Sequence, residues 1–238
     1  MTTSRGSAPL HKKYLNARSP LRLLEKGLHG GLGVGNIGVV LAGHGVGKTA
    51  FLVGVGLDEL LRAGRVLHVC LDHTVAHVRA HYDTVFEELA ASTHLENPSE
   101  LRAELERQRS IRVYPPNTLT ASKLRDAVKL EIDAGAKPSL IILEGLDFQS
   151  LPHDELSEIK ALAAELAAEV WISSPAAEER VTSVPNSLRK AGDRISVVLA
   201  LEPGDGVVGL RALKDHDSPD PTSLRVSLDP RTLLLVRS

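Results

Sequence analysis

Residues 42 to 49, Ala42-Gly43-His44-Gly45-Val46-Gly47-Lys48-Thr49, combine residue types that bind phosphate. Glycines let the backbone turn so that successive N–H groups face phosphate oxygens, and a helix starting at the end of such a loop adds the positive end of its dipole. A lysine after the last glycine would reach the β- and γ-phosphates, and the next hydroxyl would ligate Mg²⁺. Lys48 and Thr49 occupy those places, with Ala42 where the pattern usually has its first glycine. The spacing predicts a nucleotide phosphate cradle over all eight residues.

A cradle of this kind needs an acid to hold Mg²⁺ through water. Hydrolysis needs a further carboxylate to orient or deprotonate the attacking water. "LIILEGLDF" offers Glu144, directly after the apolar run Leu140 to Leu143, and Asp147 further on; position at the end of the run favours Glu144. Asp72, closing the run "VLHVCL", is the expected water-orienting carboxylate, provided its strand neighbours the one leading into the cradle.

The elements that must position these groups follow from periodicity. An apolar strand over Ile37 to Leu41 precedes the loop, and a helix from Lys48 to about Ala63, stopped by Gly64, follows it. "RVLHVCLD" reads as a buried strand in which Cys70 is a small hydrophobe. From Thr74 to Ala90, Val75, Val78, Tyr82, Val85, Phe86 and Leu89 recur at helical spacing. "NPSELRAELERQ" predicts a more exposed helix before the strand "IRVY". "TLTASKLRDAVKLEIDAG" predicts a helix with Leu124, Val128 and Ile132 on one side, capped by Thr120 or Ser122 and stopped by Gly135. "PSLIILEGLDF" has the near-continuous apolar character of a parallel strand covered on both faces. "DELSEIKALAAELAAE" is a helix and "VWISS" a strand, and "RISVVLALE", "VVGLRALK", "TSLRVSLD" and "TLLLVRS" are strand-like runs separated by turn residues. Alternating strands and helices followed by a β meander predict one α/β domain over residues 19–238. Its mostly parallel central sheet is flanked by helices and carries a C-terminal antiparallel extension.

Composition narrows the function classes. A net charge of −2 lacks the overall basic footprint of a protein that lives on nucleic acid. A single cysteine leaves no disulfide framework, which favours a reducing, cytoplasmic setting. No stretch approaches the roughly 18 apolar residues that a membrane span needs. Residues 1–18, basic and free of acids, read as a flexible arm.

In this order the motifs resemble the RecA/DnaB/KaiC class of P-loop ATPases from about Ser19 to Val236. "LLEKGLHGGLGVGNIGVVLAGHGVGKTAF" is similar to the family's entry into its phosphate loop. "GRVLHVCLDH" stands where the family's catalytic glutamate ends a strand, and "PSLIILEGLDF" stands at the Walker B strand. "EVWISSPAAEER" resembles the sensor strand, and "LRALKDHD" falls where hexameric members carry a Lys-x-Arg pair that reaches the neighbouring subunit's γ-phosphate. The resemblance implies a RecA-like core, ATP and Mg²⁺ as ligands, and a homo-oligomer. It also implies catalytic roles for Lys48, Asp72, Lys214 and His216, the last two acting across a subunit interface. The chain departs from the pattern in having Asp72 for the catalytic glutamate, Glu144 for the Walker B aspartate, Ser174 or a nearby residue for the sensor glutamine and His216 for the finger arginine.

Two further constellations leave alternatives open. His73, His77 and His81 recur every four residues and form one helical stripe, which could ligate a transition metal with Asp72 or Asp83 or could be solvated polar surface. "SPAAEERVTSVPNSLRKAGDR" carries Arg180, Arg189, Lys190 and Arg194 but no aromatic to stack a base, so it reads as a solvated loop before a DNA-binding one. The expected function is an oligomeric Mg²⁺-dependent ATPase that couples binding and slow hydrolysis to conformational change. The alternative is a nucleotide-gated regulatory or scaffold module with a protein partner and little turnover, and a DNA-dependent helicase or recombinase ranks below both.

Overall fold

The computed structural model describes residues 19–148, 150–176, 180–218 and 223–238; the expected arm, residues 1–18, lies outside them. Among the described residues nine strands share one sheet. They are β1 (Ile37–Ala42), β2 (Val66–Cys70), β3 (Arg109–Val113), β4 (Leu140–Glu144), β5 (Glu169–Pro175), β6 (Val197–Pro203), β7 (Val208–Asp215), β8 (Ser223–Leu228) and β9 (Leu235–Arg237), in the spatial order β3-β2-β4-β5-β1-β6-β7-β8-β9. The strands from β3 across to β6 pair in parallel, and β7, β8 and β9 are added antiparallel.

The sequence pattern explains the layers. Parallel strands buried on both faces alternate their side chains between two apolar clusters. In β1, Val40 belongs to one cluster and Val39 and Leu41 to the other. The first face is covered by α1 (Leu21–Gly27), α2 (Lys48–Leu61), α3 (Val75–Ser92) and α4 (Pro98–Arg107), through residues such as Leu24, Phe51, Leu52, Val78, Tyr82 and Leu105. The second is covered by α5 (Ala121–Asp133) and α6 (His153–Leu166), with Leu124, Val128, Ile159 and Leu162. Trp171 on β5 packs edge-on against Phe51 of α2, and a Cβ on Gly38 would come within 2.7 Å of the indole, so only glycine fits there. No helix among the described residues is long and apolar enough to cross a membrane.

Four expectations need correction. The short helix α1 lies in the entry segment before β1, to which the sequence reading assigns no element. It is held by contacts that are distant in sequence: Arg22 pairs with Asp58, and a Cβ on Gly27 would meet Leu224 at 2.7 Å. Val75, at the first position of α3, is 41% exposed because the helix begins at the sheet's end, above the core. Ile132 is exposed because the last turn of α5 buries Glu131 instead, which accepts hydrogen bonds from Ser110 and Arg112 of β3, each at 2.7 Å. Finally, β2 does not neighbour β1, since β4 and β5 lie between them.

Candidate functional site

The loop 43–47 leaves β1 at the carboxyl end of the parallel strands and turns directly into α2. Two of its glycines occupy the left-handed region, Gly45 at φ +74° and Gly47 at φ +115°, where a side chain is strained. A Cβ on Gly47 would also strike Leu228, so the end of β8 buttresses the loop. No side chain caps α2, whose N-cap is Gly47, and its first-turn N–H groups are left for water or a ligand. His44 stands exposed in the loop, and Val46 folds back so that its Cγ2 lies 3.6 Å from a Cβ built on Gly43.

Lys48 curls over this loop, its Nζ donating to the carbonyls of Ala42 and Gly43 at 2.9 Å each. An ammonium has three N–H donors, so one remains. Burial pushes the Lys48 pKa down, opposed by the nearby carboxylates of Asp72 and Glu144. The lysine is thus a partly desolvated cation, suited to an anion that would complete its shell.

Glu144 ends β4 almost fully buried. The Thr49 hydroxyl donates to its Oε1, and the His68 Nε2 lies 3.2 Å from its Oε2. Burial raises the Glu144 pKa, but the hydrogen bonds from His68 and from the Thr49 hydroxyl help to outweigh it, so the net shift is downward and the group is a carboxylate at neutral pH. Because the Thr49 hydroxyl gives its only proton to Glu144, its lone pairs remain for a cation. Thr49 and Glu144 therefore fit the roles of direct and water-mediated Mg²⁺ holders, and Lys48 with the loop fits a polyphosphate.

Asp72 reaches the same site although its strand is not adjacent to β1. In the sheet Cys70 pairs with Glu144, and the Leu71 N–H donates to the Glu144 carbonyl at 2.9 Å, which sets Asp72 beside the end of β4. Gly145, at φ +81°, makes the room, since a Cβ there would come within 2.7 Å of the Asp72 carboxyl carbon. The Cys70 thiol donates to Asp72 Oδ1 at 3.2 Å, and burial pushes its pKa up to about 12, so it stays a donor. The other Asp72 oxygen, Oδ2, lies 3.9 Å from His73 Nε2, on a side chain that is about half exposed. Asp147 is half-buried beyond the strand and accepts through its backbone carbonyl from Leu151.

Lys214 and His216 lie elsewhere. On β7, Lys214 pairs with Val198 and Asp215 with Val197, while Val197 pairs with Gly38 at the start of β1. They therefore sit at the opposite end of the sheet from the loop. Lys214 Nζ donates to the Gly192 carbonyl at 3.1 Å, and the His216 ring spans Asp215 Oδ1 at 2.8 Å and the Leu32 carbonyl at 3.1 Å. Within one chain these residues do not join the cradle. Ser174 is buried on β5 opposite Leu41; it is its neighbour Ser173 that touches the site, accepting the Gly145 N–H at 3.0 Å.

The histidine stripe on α3 forms as spaced, but as a stack. The His73 and His77 rings lie 4.1 Å apart at 30°, and those of His77 and His81 lie 4.6 Å apart. The His81 Nδ1 lies 3.2 Å from the His77 carbonyl, and among the described residues no three His, Cys, Asp or Glu side chains are arranged to hold a metal ion. Of the two readings left open for the stripe, this arrangement favours solvated polar surface.

Sequence reasoning missed His68 and Tyr82 as parts of the site, and placed the sensor position at Ser174 or nearby without singling out Ser173. His68 had a signal, since it is a polar residue inside the apolar run "VLHVCL" and shares a face with Cys70 two residues on. Tyr82 reads only as core, and nothing local distinguishes Ser173 from Ser174. The chain matches no family model and no curated protein.

Proposed function

We propose that this chain is an ATP-binding P-loop protein with a RecA-like core, working as an oligomeric Mg²⁺-dependent ATPase that couples binding and slow hydrolysis to conformational change. The observation that carries the reading is the Lys48–Thr49–Glu144 constellation at the carboxyl end of a parallel sheet, with a buried carboxylate holding the threonine proton and a lysine folded over a glycine loop. Bound ATP·Mg²⁺ would supply the electrophilic γ-phosphoryl group. Lys48 and the loop N–H groups bind and orient the phosphates, and Thr49 and Glu144 hold the cation. Asp72, steadied at Oδ1 by the Cys70 thiol, orients water at its half-exposed Oδ2, beside His73, and accepts its proton. Lys214 acts on a neighbouring subunit's nucleotide, since it lies too far from its own.

A second reading, a nucleotide-gated module with little turnover, is favoured by His216, whose ring is already engaged on both nitrogens. Phosphate release by the purified protein separates the two readings, with and without single-stranded DNA, alongside its oligomeric state with and without ATP·Mg²⁺. Turnover that rises with protein concentration supports the oligomeric ATPase. Tight binding with no phosphate release at any concentration leaves the gated module. Failure to bind any nucleoside triphosphate overturns both.

A further inference from the structure

His68 is completely buried in the middle of β2, and period-two alternation sets it on the same face as Cys70, toward α2 and α3. A buried imidazole needs partners for both nitrogens, and it has them. Nε2 meets Glu144 Oε2 at 3.2 Å, and Nδ1 meets the Tyr82 hydroxyl at 3.2 Å. With Glu144 ionised, the assignment that satisfies every atom puts the proton on Nε2, donated to Glu144, while Tyr82 donates to Nδ1. Tyr82 comes from α3, is 1% exposed, and carries the Arg109 guanidinium over its ring at 4.1 Å. Its hydroxyl lies against Gly56 of α2, where a Cβ would collide with it. The phosphate-loop helix is therefore notched where the tyrosine must pass to reach the histidine.

Glu144 is longer than the aspartate usual at that place in the family the chain resembles, and the extra rotatable bond lets its head swing. Thr49 holds one oxygen, which leaves the carboxylate free to pivot about that contact. The second oxygen is held by His68, and His68 by Tyr82. We propose that His68, locked by Tyr82, is a positioning residue that fixes the Glu144 carboxylate for Mg²⁺, an assignment that rests on the phosphate-cradle reading. Outer-shell partners of this kind change metal affinity by about 10- to 100-fold when removed.

The test is titration of a fluorescent ATP analogue at fixed Mg²⁺ concentrations and in EDTA, on the full chain. His68→Leu and Tyr82→Phe should leave the EDTA affinity within about twofold. The Mg²⁺ concentration for half-maximal enhancement of binding should rise, by about tenfold for His68→Leu and about threefold for Tyr82→Phe. His68→Gln, which keeps a donor on that side, should recover most of the loss. Tyr82→Phe also decides the matter should His68→Leu fail to fold. A second readout needs no ligand: the ¹⁵N signals of the His68 ring should show the Nε2–H tautomer and should shift in Glu144→Gln. An unchanged Mg²⁺ requirement in folded Tyr82→Phe and His68→Gln proteins, alongside a raised one in Glu144→Gln, overturns the His68 role while leaving the cradle standing. Wild type that binds no nucleotide at any Mg²⁺ concentration overturns both.

Discussion

Replacing Lys48 by alanine removes one ammonium whose surroundings set the size of the effect. Two of its three N–H donors are engaged by the carbonyls of Ala42 and Gly43, so the phosphate can take only the third directly. A charge-assisted hydrogen bond of that kind contributes about 1.5–3 kcal/mol, which corresponds to roughly 10- to 150-fold in affinity. Longer-range attraction adds to this, partly screened at a half-buried site. Folding should change little. The Ala42 carbonyl keeps the N–H of Ala176 at 2.9 Å, so only the Gly43 carbonyl passes to water. A loss below about 1 kcal/mol shifts the Tm by no more than about 2–4 °C for a chain of this size. Titration of a fluorescent ATP analogue against wild type and Lys48→Ala, with thermal unfolding of both, measures the two quantities together. Affinity within threefold of wild type, in a protein of unchanged Tm, would refute the assignment of residues 42–49 as a phosphate cradle.

Three other outcomes are expected. Because burial lowers the Lys48 pKa, its charge is present below that value and lost as pH rises through it. Nucleotide affinity should therefore fall on the alkaline side earlier than an ordinary lysine would dictate, and titrations from pH 7 to pH 10 should show no such fall in Lys48→Ala. Gly56→Ala should destabilise the fold by about 1–2 kcal/mol in urea unfolding, because overpacking against the buried Tyr82 hydroxyl exceeds the gain in helix propensity, and the penalty should shrink in a Tyr82→Phe background. Cys70, buried and with its pKa pushed up to about 12, should resist a thiol reagent in the native protein and react at the rate of unfolding; fast native labelling would contradict the packing around Asp72.

Local pattern alone determined the loop, its flanking strand and helix, and the class of fold. Glycine spacing before Gly-Lys-Thr, a period of two or near-continuous apolar runs in strands, and a period of 3.6 in helices are properties of short segments. Each is set by backbone sterics and one buried face, so residues near in sequence suffice to read them. Glu144 was legible for the same reason, as the acid ending an apolar run. Tertiary structure decided which ends of which strands meet. Asp72 comes beside Glu144 because β2 pairs with β4, and it does so although β2 is two strands removed from β1. Lys214 and His216 fall at the far end of the sheet because β7, whose antiparallel direction the short turns did signal, pairs with β6 in a register that returns its last residues to the start of β1, and no local pattern sets that register. The His68–Tyr82 lock on Glu144 joins β2, α3 and β4, and it depends on a glycine in a fourth element, α2. Contacts between elements distant in the chain are selected by the packing of the whole core, where each side chain's place depends on all the others, and no single segment carries that information.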